Sequence, residues 1–308
     1  MGTSAFSEKI LKAFIENKYN IVAVFTQPDK KAGKEKEVKI NPVKKLSLAN
    51  KLLLFQPEKF DDAAANEIKN LKPDIMVLAA YGRILPEKIL KISGFGGINV
   101  HASLLPELRG PSPIQNALLS GYKETGVTII QMDAGVDTGD ILAQKKVEIE
   151  SSDNFETLSE KISGAGVNLL LNTIPALIRR EITPKKQDNE KATLSQLIER
   201  DDGRIFWDEQ TTKINNKFRA FYPWPGIFCF WKRKNQLVRI KLHKIRPYFK
   251  KMEHRRNLGE VFAINDHIAV QASKGAIILE QIQIEGKKAV STSEFINGYP
   301  DFIGSILS

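Results

Sequence analysis

Residues 97–106 read Gly97-Ile98-Asn99-Val100-His101-Ala102-Ser103-Leu104-Leu105-Pro106. The first five form a short run that predicts a β-strand, and the proline marks its exit into a loop. In an extended strand Asn99 and His101, two residues apart, project to the same side. Working outward, further short apolar runs predict strands at 21–26, 75–80 and 127–131, alternating with helix-like stretches at 6–17, 41–50, 62–71, 112–120 and 155–181. That alternation predicts an α/β fold, a Rossmann-like, doubly wound and mostly parallel sheet. Residues 183–194 carry Pro184, Asp188 and little apolar periodicity, so a linker is expected there. Beyond residue 201 a short helix and alternating strands predict a smaller, OB-like β-barrel. The expected boundaries are 1–182 for the first domain, 183–200 for the linker and 201–308 for the second domain.

With 308 residues, 42% apolar and 27% charged, the chain has the composition of a folded globular protein and not of a disordered one. No apolar run approaches the roughly eighteen residues that cross a bilayer, and the first residues lack a signal-peptide pattern. The expectation is a cytoplasmic monomer with no membrane partner. Cys229 is the only cysteine, which leaves no intramolecular disulfide and reads as core. The histidines other than His101 (His243, His254 and His267) all fall in the C-terminal portion, so no zinc-type cluster forms and no metal is expected. The net charge of +10 is uneven, most of the excess lying beyond residue 195. Between Lys232 and Arg256 eleven basic residues face a single acid, Glu253. They interleave with Leu237, Val238, Ile240, Leu242 and Ile245, the pattern of strands with one charged face. A solvated surface and a polyanion footprint both fit that pattern.

The chemistry concentrates where strands end, the usual place for ligands in an open α/β sheet. An amide N–H from Asn99 can stabilise the oxyanion of a tetrahedral intermediate, and His101 can manage protons near neutral pH. A second segment, residues 132–140, follows the strand at 127–131 and combines glycines with Asp133, Asp137 and Asp140. A carboxylate there could orient His101. Taken singly, a histidine at a strand end and an Asp-Thr-Gly-Asp turn each have an ordinary structural reading.

Together they resemble a known family. Asn99, His101, the run Ser103-Leu104-Leu105-Pro106 and the Asp137 loop are similar to the formyltransferases that use 10-formyltetrahydrofolate. The resemblance covers nearly the whole chain, through Val24 to Asp29, Val77 to Pro86, Arg109-Gly110, Pro113-Ile114-Gln115, Thr125 to Thr128 and Arg219 to Pro225. It narrows to members whose acceptor is methionyl initiator tRNA. The resemblance implies that Asn99, His101 and Asp137 are the catalytic trio. It also implies that Ser103, Leu104, Leu105 and Pro106, with Ala80, Tyr81, Gly82, Ile84 and Asp140, line the site of the folate cosubstrate. The polar insertion from Asp29 to Lys45, with Lys30, Lys31, Lys34 and Lys36, resembles a loop that approaches the tRNA acceptor end. Lysines stand where at least one arginine is expected, which favours a simple charge contact over a planar bidentate one. Lys232, Arg233, Lys234, Arg239 and Lys241 on the barrel would meet backbone phosphates.

Two other classes share parts of this pattern. A formyltransferase or formyl hydrolase acting on a small amine would have no need of the basic loop and barrel, and a silent RNA-binding protein would not keep the trio together. The resemblance also implies an apolar strand ahead of Gly2-Thr3-Ser4-Ala5-Phe6, so the first strand of the sheet is expected to be missing from this sequence, with Met1 standing at an internal position.

Overall fold

The computed structural model describes residues 1–32, 37–249 and 256–308. They divide into two compact units, residues 1–113, 123–150 and 157–196 in the first, and residues 114–122, 151–156 and 197–308 in the second.

In the first unit, helices start where short polar side chains can accept from free backbone N–H groups. Ser4 accepts from Ser7 ahead of α1 (Ala5–Glu16), Asn41 from Lys44 ahead of α2 (Pro42–Ala49), and Asp61 from Ala64 ahead of α3 (Asp62–Leu71). Strand β1 (Val24–Phe25) is followed by the antiparallel pair β2 (Lys30–Ala32) and β3 (Glu37–Lys39), and then by β4 (Leu54–Phe55), which lies parallel to β1. A second parallel pair joins β5 (Met76–Leu78) to β6 (Gly97–His101). Strands β7 (Glu124–Gln131) and β8 (Ile141–Glu148) then extend the sheet antiparallel, an edge that many doubly wound sheets carry. The polar run Gln144-Lys145-Lys146 masks β8 in the sequence.

After the short helix α4 (Glu87–Leu90) and after α5 (Pro113–Leu119), which belongs almost wholly to the second unit, comes α6 (Phe155–Ile178). By length and apolar character alone α6 could cross a membrane. It buries a stripe of Leu158, Ile162, Gly166, Leu170 and Ile174 at helical spacing. A Cβ at Gly166 would lie 3.2 Å from Val100 and 3.4 Å from Val127, so the missing side chain sets how closely α6 seats on β6 and β7.

Met1 and Gly2 lie where the first strand was expected. The Gly2 amide donates to the Phe25 carbonyl (3.0 Å), the Ala79 amide to the Met1 carbonyl (3.1 Å), and the Met1 amine to the Val77 carbonyl (2.7 Å). Gly2 thus bonds to the end of β1 and forms a parallel bridge with Ala79, just beyond β5. Beside it is a cavity of about 160 Å³ whose lining includes Ile10, Leu11, Phe14, Val24, Val77 and Ala79. Residues 183–196, expected as a linker, run across the first unit: Ile141 and Lys185 exchange backbone hydrogen bonds, and so do Arg109 and residues 193 and 195.

The second unit holds α7 (Thr211–Phe221) and an antiparallel sheet of β9 (Ile227–Arg233), β10 (Gln236–Tyr248), β11 (Val261–Ile264), β12 (His267–Gln271), β13 (Ala276–Ile284) and β14 (Val290–Ser291), followed by α8 (Thr292–Gly298). Its order is β11-β12-β13-β10-β9, with β14 on β13. The last residues close this sheet on itself. Phe230 and Ser308 exchange hydrogen bonds of 2.7 and 2.8 Å, while Leu307 donates to Gly259 (2.9 Å) and Val261 to Ser305 (2.9 Å). The result is the expected OB-like barrel, filled by Trp231, Ile240, Val261, Val270, Ile277, Ile282 and Phe302. Cys229 is part of this core, and burial pushes its thiol up to about 12.

Candidate active site

The two-residue spacing on β6 places Asn99 and His101 together at the strand's end, and the loop after β7 brings Asp137 to them. His101 is 5% exposed and its Nδ1 lies 3.4 Å from Asp137 Oδ2. Its Nε2 lies 2.9 Å from the Leu108 carbonyl oxygen. Both ring nitrogens face acceptors, and a ring carrying hydrogen on both satisfies both contacts. Asn99 Nδ2 donates to Asp137 Oδ1 (3.2 Å), and the Gly110 amide donates to Asp137 Oδ2 (2.8 Å). Each carboxylate oxygen therefore receives an N–H and keeps further lone-pair capacity. Asp137 has φ +54° and Gly110 φ +109°. At Gly110 a Cβ would come within 3.1 Å of the Ser195 carbonyl, so only glycine delivers this amide to the carboxylate without displacing residue 195.

The run 103–106 packs against β7. Ser103 Oγ donates to the Glu107 carbonyl (2.6 Å), and the Leu105 amide donates to Thr128 Oγ1 (3.1 Å). Ser103 and Leu105 are buried, while Leu104 and Pro106 are half-buried. Beyond β5, Ala80, Gly82 and Ile84 are exposed, Ile84 by 74%. Tyr81 turns inward against Phe60, its carbonyl accepting from Gln27 Nε2 (2.7 Å). Burial pushes the Tyr81 hydroxyl up to about 12, and among the described residues that hydroxyl has no hydrogen-bond partner. Asp140 is half-buried and its carbonyl accepts from the Gln131 amide (2.8 Å).

The basic candidates divide. In the second unit Lys232 and Lys234 are exposed and Lys241 is half-buried. Arg233 instead forks onto Asp301 at 2.7 and 3.0 Å, and Arg239 stacks 3.4 Å from the Phe228 ring centre, near Glu285. In the first unit Lys30 and Lys31 lie in β2, while Lys34 and Lys36 lie outside the described residues. Sequence reasoning missed the Leu108 carbonyl and the Gly110 amide, because main-chain groups leave no mark in a residue pattern. It also missed Gln187, which lies in the stretch read as linker.

Comparison with known proteins settles the family. Residues 1–174 match the family described as formyl transferase, and residues 197–300 match the formyl transferase C-terminal domain. A methionyl-tRNA formyltransferase of Caldicellulosiruptor saccharolyticus is 41% identical, over 100% of this chain and 98% of its own length. That of Enterococcus faecalis is 40% identical over 97% of this chain and 94% of its own.

The chain belongs to the methionyl-tRNA formyltransferase family.

Solved structures share its fold. A methionyl-tRNA formyltransferase from Clostridium thermocellum superposes with a TM-score of 0.57 at 19% identity, over 92% of this chain and 96% of that one. An N-formyltransferase from Helicobacter canadensis, in complex with folinic acid and dTDP-3-aminofucose, gives 0.66 at 18% identity over 90% and 96%. Within the methionyl-tRNA formyltransferase family, then, this chain sets an amide and an imidazole each against one carboxylate at the end of a sheet strand.

Proposed function

We infer that the chain transfers the formyl group of 10-formyltetrahydrofolate to the α-amine of methionyl initiator tRNA, in the cytoplasm. The observation that carries this reading is the convergence of Asn99, His101 and Asp137, in a chain 41% identical to a methionyl-tRNA formyltransferase over its full length.

The neutral amine attacks the formyl carbon; a C–N bond forms and the carbonyl oxygen becomes anionic while the nitrogen becomes cationic. One hydrogen of Asn99 Nδ2 is committed to Asp137 and the second is left for the oxyanion. The imidazole contact with Asp137 is the looser of its two, so Nδ1–H is the donor that can turn to the same oxygen. Asp137 receives the amine proton. That proton passes on to the folate N10 as the oxyanion re-forms the carbonyl and the bond from the formyl carbon to N10 breaks, releasing tetrahydrofolate and the formylated amine. Exposed Ile84, with Ala80 and Gly82, offers flat apolar surface for the folate ring, and Lys30 to Lys36 with Lys232 and Lys234 offer charge to the tRNA backbone.

The test supplies purified protein with labelled 10-formyltetrahydrofolate and either methionyl initiator tRNA or a nucleotide-linked amino sugar. Transfer to the tRNA is expected. Transfer to the sugar alone would replace this reading with the small-molecule one, which shares the catalytic fold.

A further inference from the structure

We propose that Gln187, in the strap of chain at 183–196, is a positioning residue that sets Asp137 for proton transfer; the proposal rests on the reading of Asn99, His101 and Asp137 as the catalytic trio. The Gln187 amide is saturated by four hydrogen bonds. Its Nε2 donates to the carbonyl oxygens of Asp137 (2.8 Å) and Gly139 (2.7 Å). Its Oε1 accepts from Arg109 Nε (3.0 Å) and Nη2 (2.8 Å). The guanidinium is donor-only and the two carbonyls are acceptor-only, so a single orientation of the amide satisfies all four contacts.

That orientation joins two things the site needs at once. On one side is the Asp137 backbone, at a left-handed φ of +54° that residues other than glycine adopt uncommonly. On the other is Arg109, 7% exposed, whose neighbour Gly110 gives the amide that binds the Asp137 carboxylate. The same strap secures the His101 side of the site. Thr193 Oγ1 accepts from the Leu108 amide (2.8 Å), and the Leu108 carbonyl is the acceptor for His101 Nε2. Asn189 Oδ1 takes another Arg109 Nη2 hydrogen at 2.8 Å. Gln187 touches neither formyl donor nor acceptor in this arrangement; it acts through Asp137.

The experiment compares Gln187→Ala, Asp137→Asn and the double variant in the full chain by steady-state kinetics and thermal melt. Displacement of a catalytic group by about 1 Å costs up to about a hundredfold, so Gln187→Ala should lose roughly ten- to a hundredfold in kcat. KM for folate and for tRNA should stay within error, while the melting temperature falls because the buried Arg109 guanidinium and the two carbonyls lose a partner. In the Asp137→Asn background the same change should cost less than about threefold further, because residues acting as one unit are not additive. Should Gln187→Ala fail to fold, Gln187→Glu keeps the acceptor for Arg109 and replaces the donors by a charged oxygen set against the two carbonyl oxygens; wild-type kcat in that variant overturns the proposal. So do wild-type kcat in Gln187→Ala beside a crippled Asp137→Asn, or losses that multiply in the double variant. If Asp137→Asn itself turns over normally, it is the reading of the trio that falls.

Discussion

His101 has an oxygen acceptor on each ring nitrogen, and Asn99 and His101 both contact the Asp137 carboxylate. Removing either should leave a folded protein with little transfer. Loss of one oxyanion donor costs on the order of a hundredfold or more in kcat. His101→Ala and Asn99→Ala are therefore expected to fall by at least that factor at saturating folate and tRNA, with unchanged circular dichroism; turnover near wild type would remove either residue from the mechanism. These two residues were legible because a strand's period of two fixes side-chain direction without any knowledge of the fold. The Gly110 amide was not, since every residue has one and only the path of the loop decides which reaches the carboxylate.

Elements differ in how far local sequence specifies them. Residues 62–71 were expected as a helix and α3 spans Asp62–Leu71, because a cap and an apolar stripe are local signals. Strand partners are non-local. Nothing in residues 141–148 announces that they lie antiparallel to β7, and β1 shrinks to Val24–Phe25 from the six residues expected at 21–26. The strap at 183–196 reads as a linker because it lacks periodicity, yet it is fixed by hydrogen bonds to loops, which have no period to read. The C-terminal residues behave alike: Leu307 is 2% exposed and lies between β9 and the start of β11. Truncating a leucine so buried costs about 2 to 5 kcal/mol. Leu307→Ala should therefore lower the barrel's melting transition measurably, and an unchanged transition would mean that the closure seen between Phe230 and Ser308 carries no stability.

At the scale of the whole molecule, the uneven charge becomes a division of labour among cations. Arg233 and Arg239 are already bound to Asp301, Phe228 and Glu285, while Lys232 and Lys234 face solvent. Replacing Lys232 and Lys234 by Gln should weaken tRNA binding and flatten its salt dependence by roughly one unit of slope for each phosphate no longer neutralised. Folate binding should not change, and equal slopes for variant and wild type would discard this face as an RNA footprint. The sequence carried the two-domain plan, but not that residues 114–122 and 151–156 belong with the C-terminal unit, since a chain excursion between units leaves no compositional trace. The closing of the barrel by residues 304–308 also orders events in time. A ribosome makes these residues after every strand they join, so during translation the first unit can mature while Phe230 and Val261 still present open strand edges. Until those residues emerge, both edges are open to pairing with strands of neighbouring nascent chains.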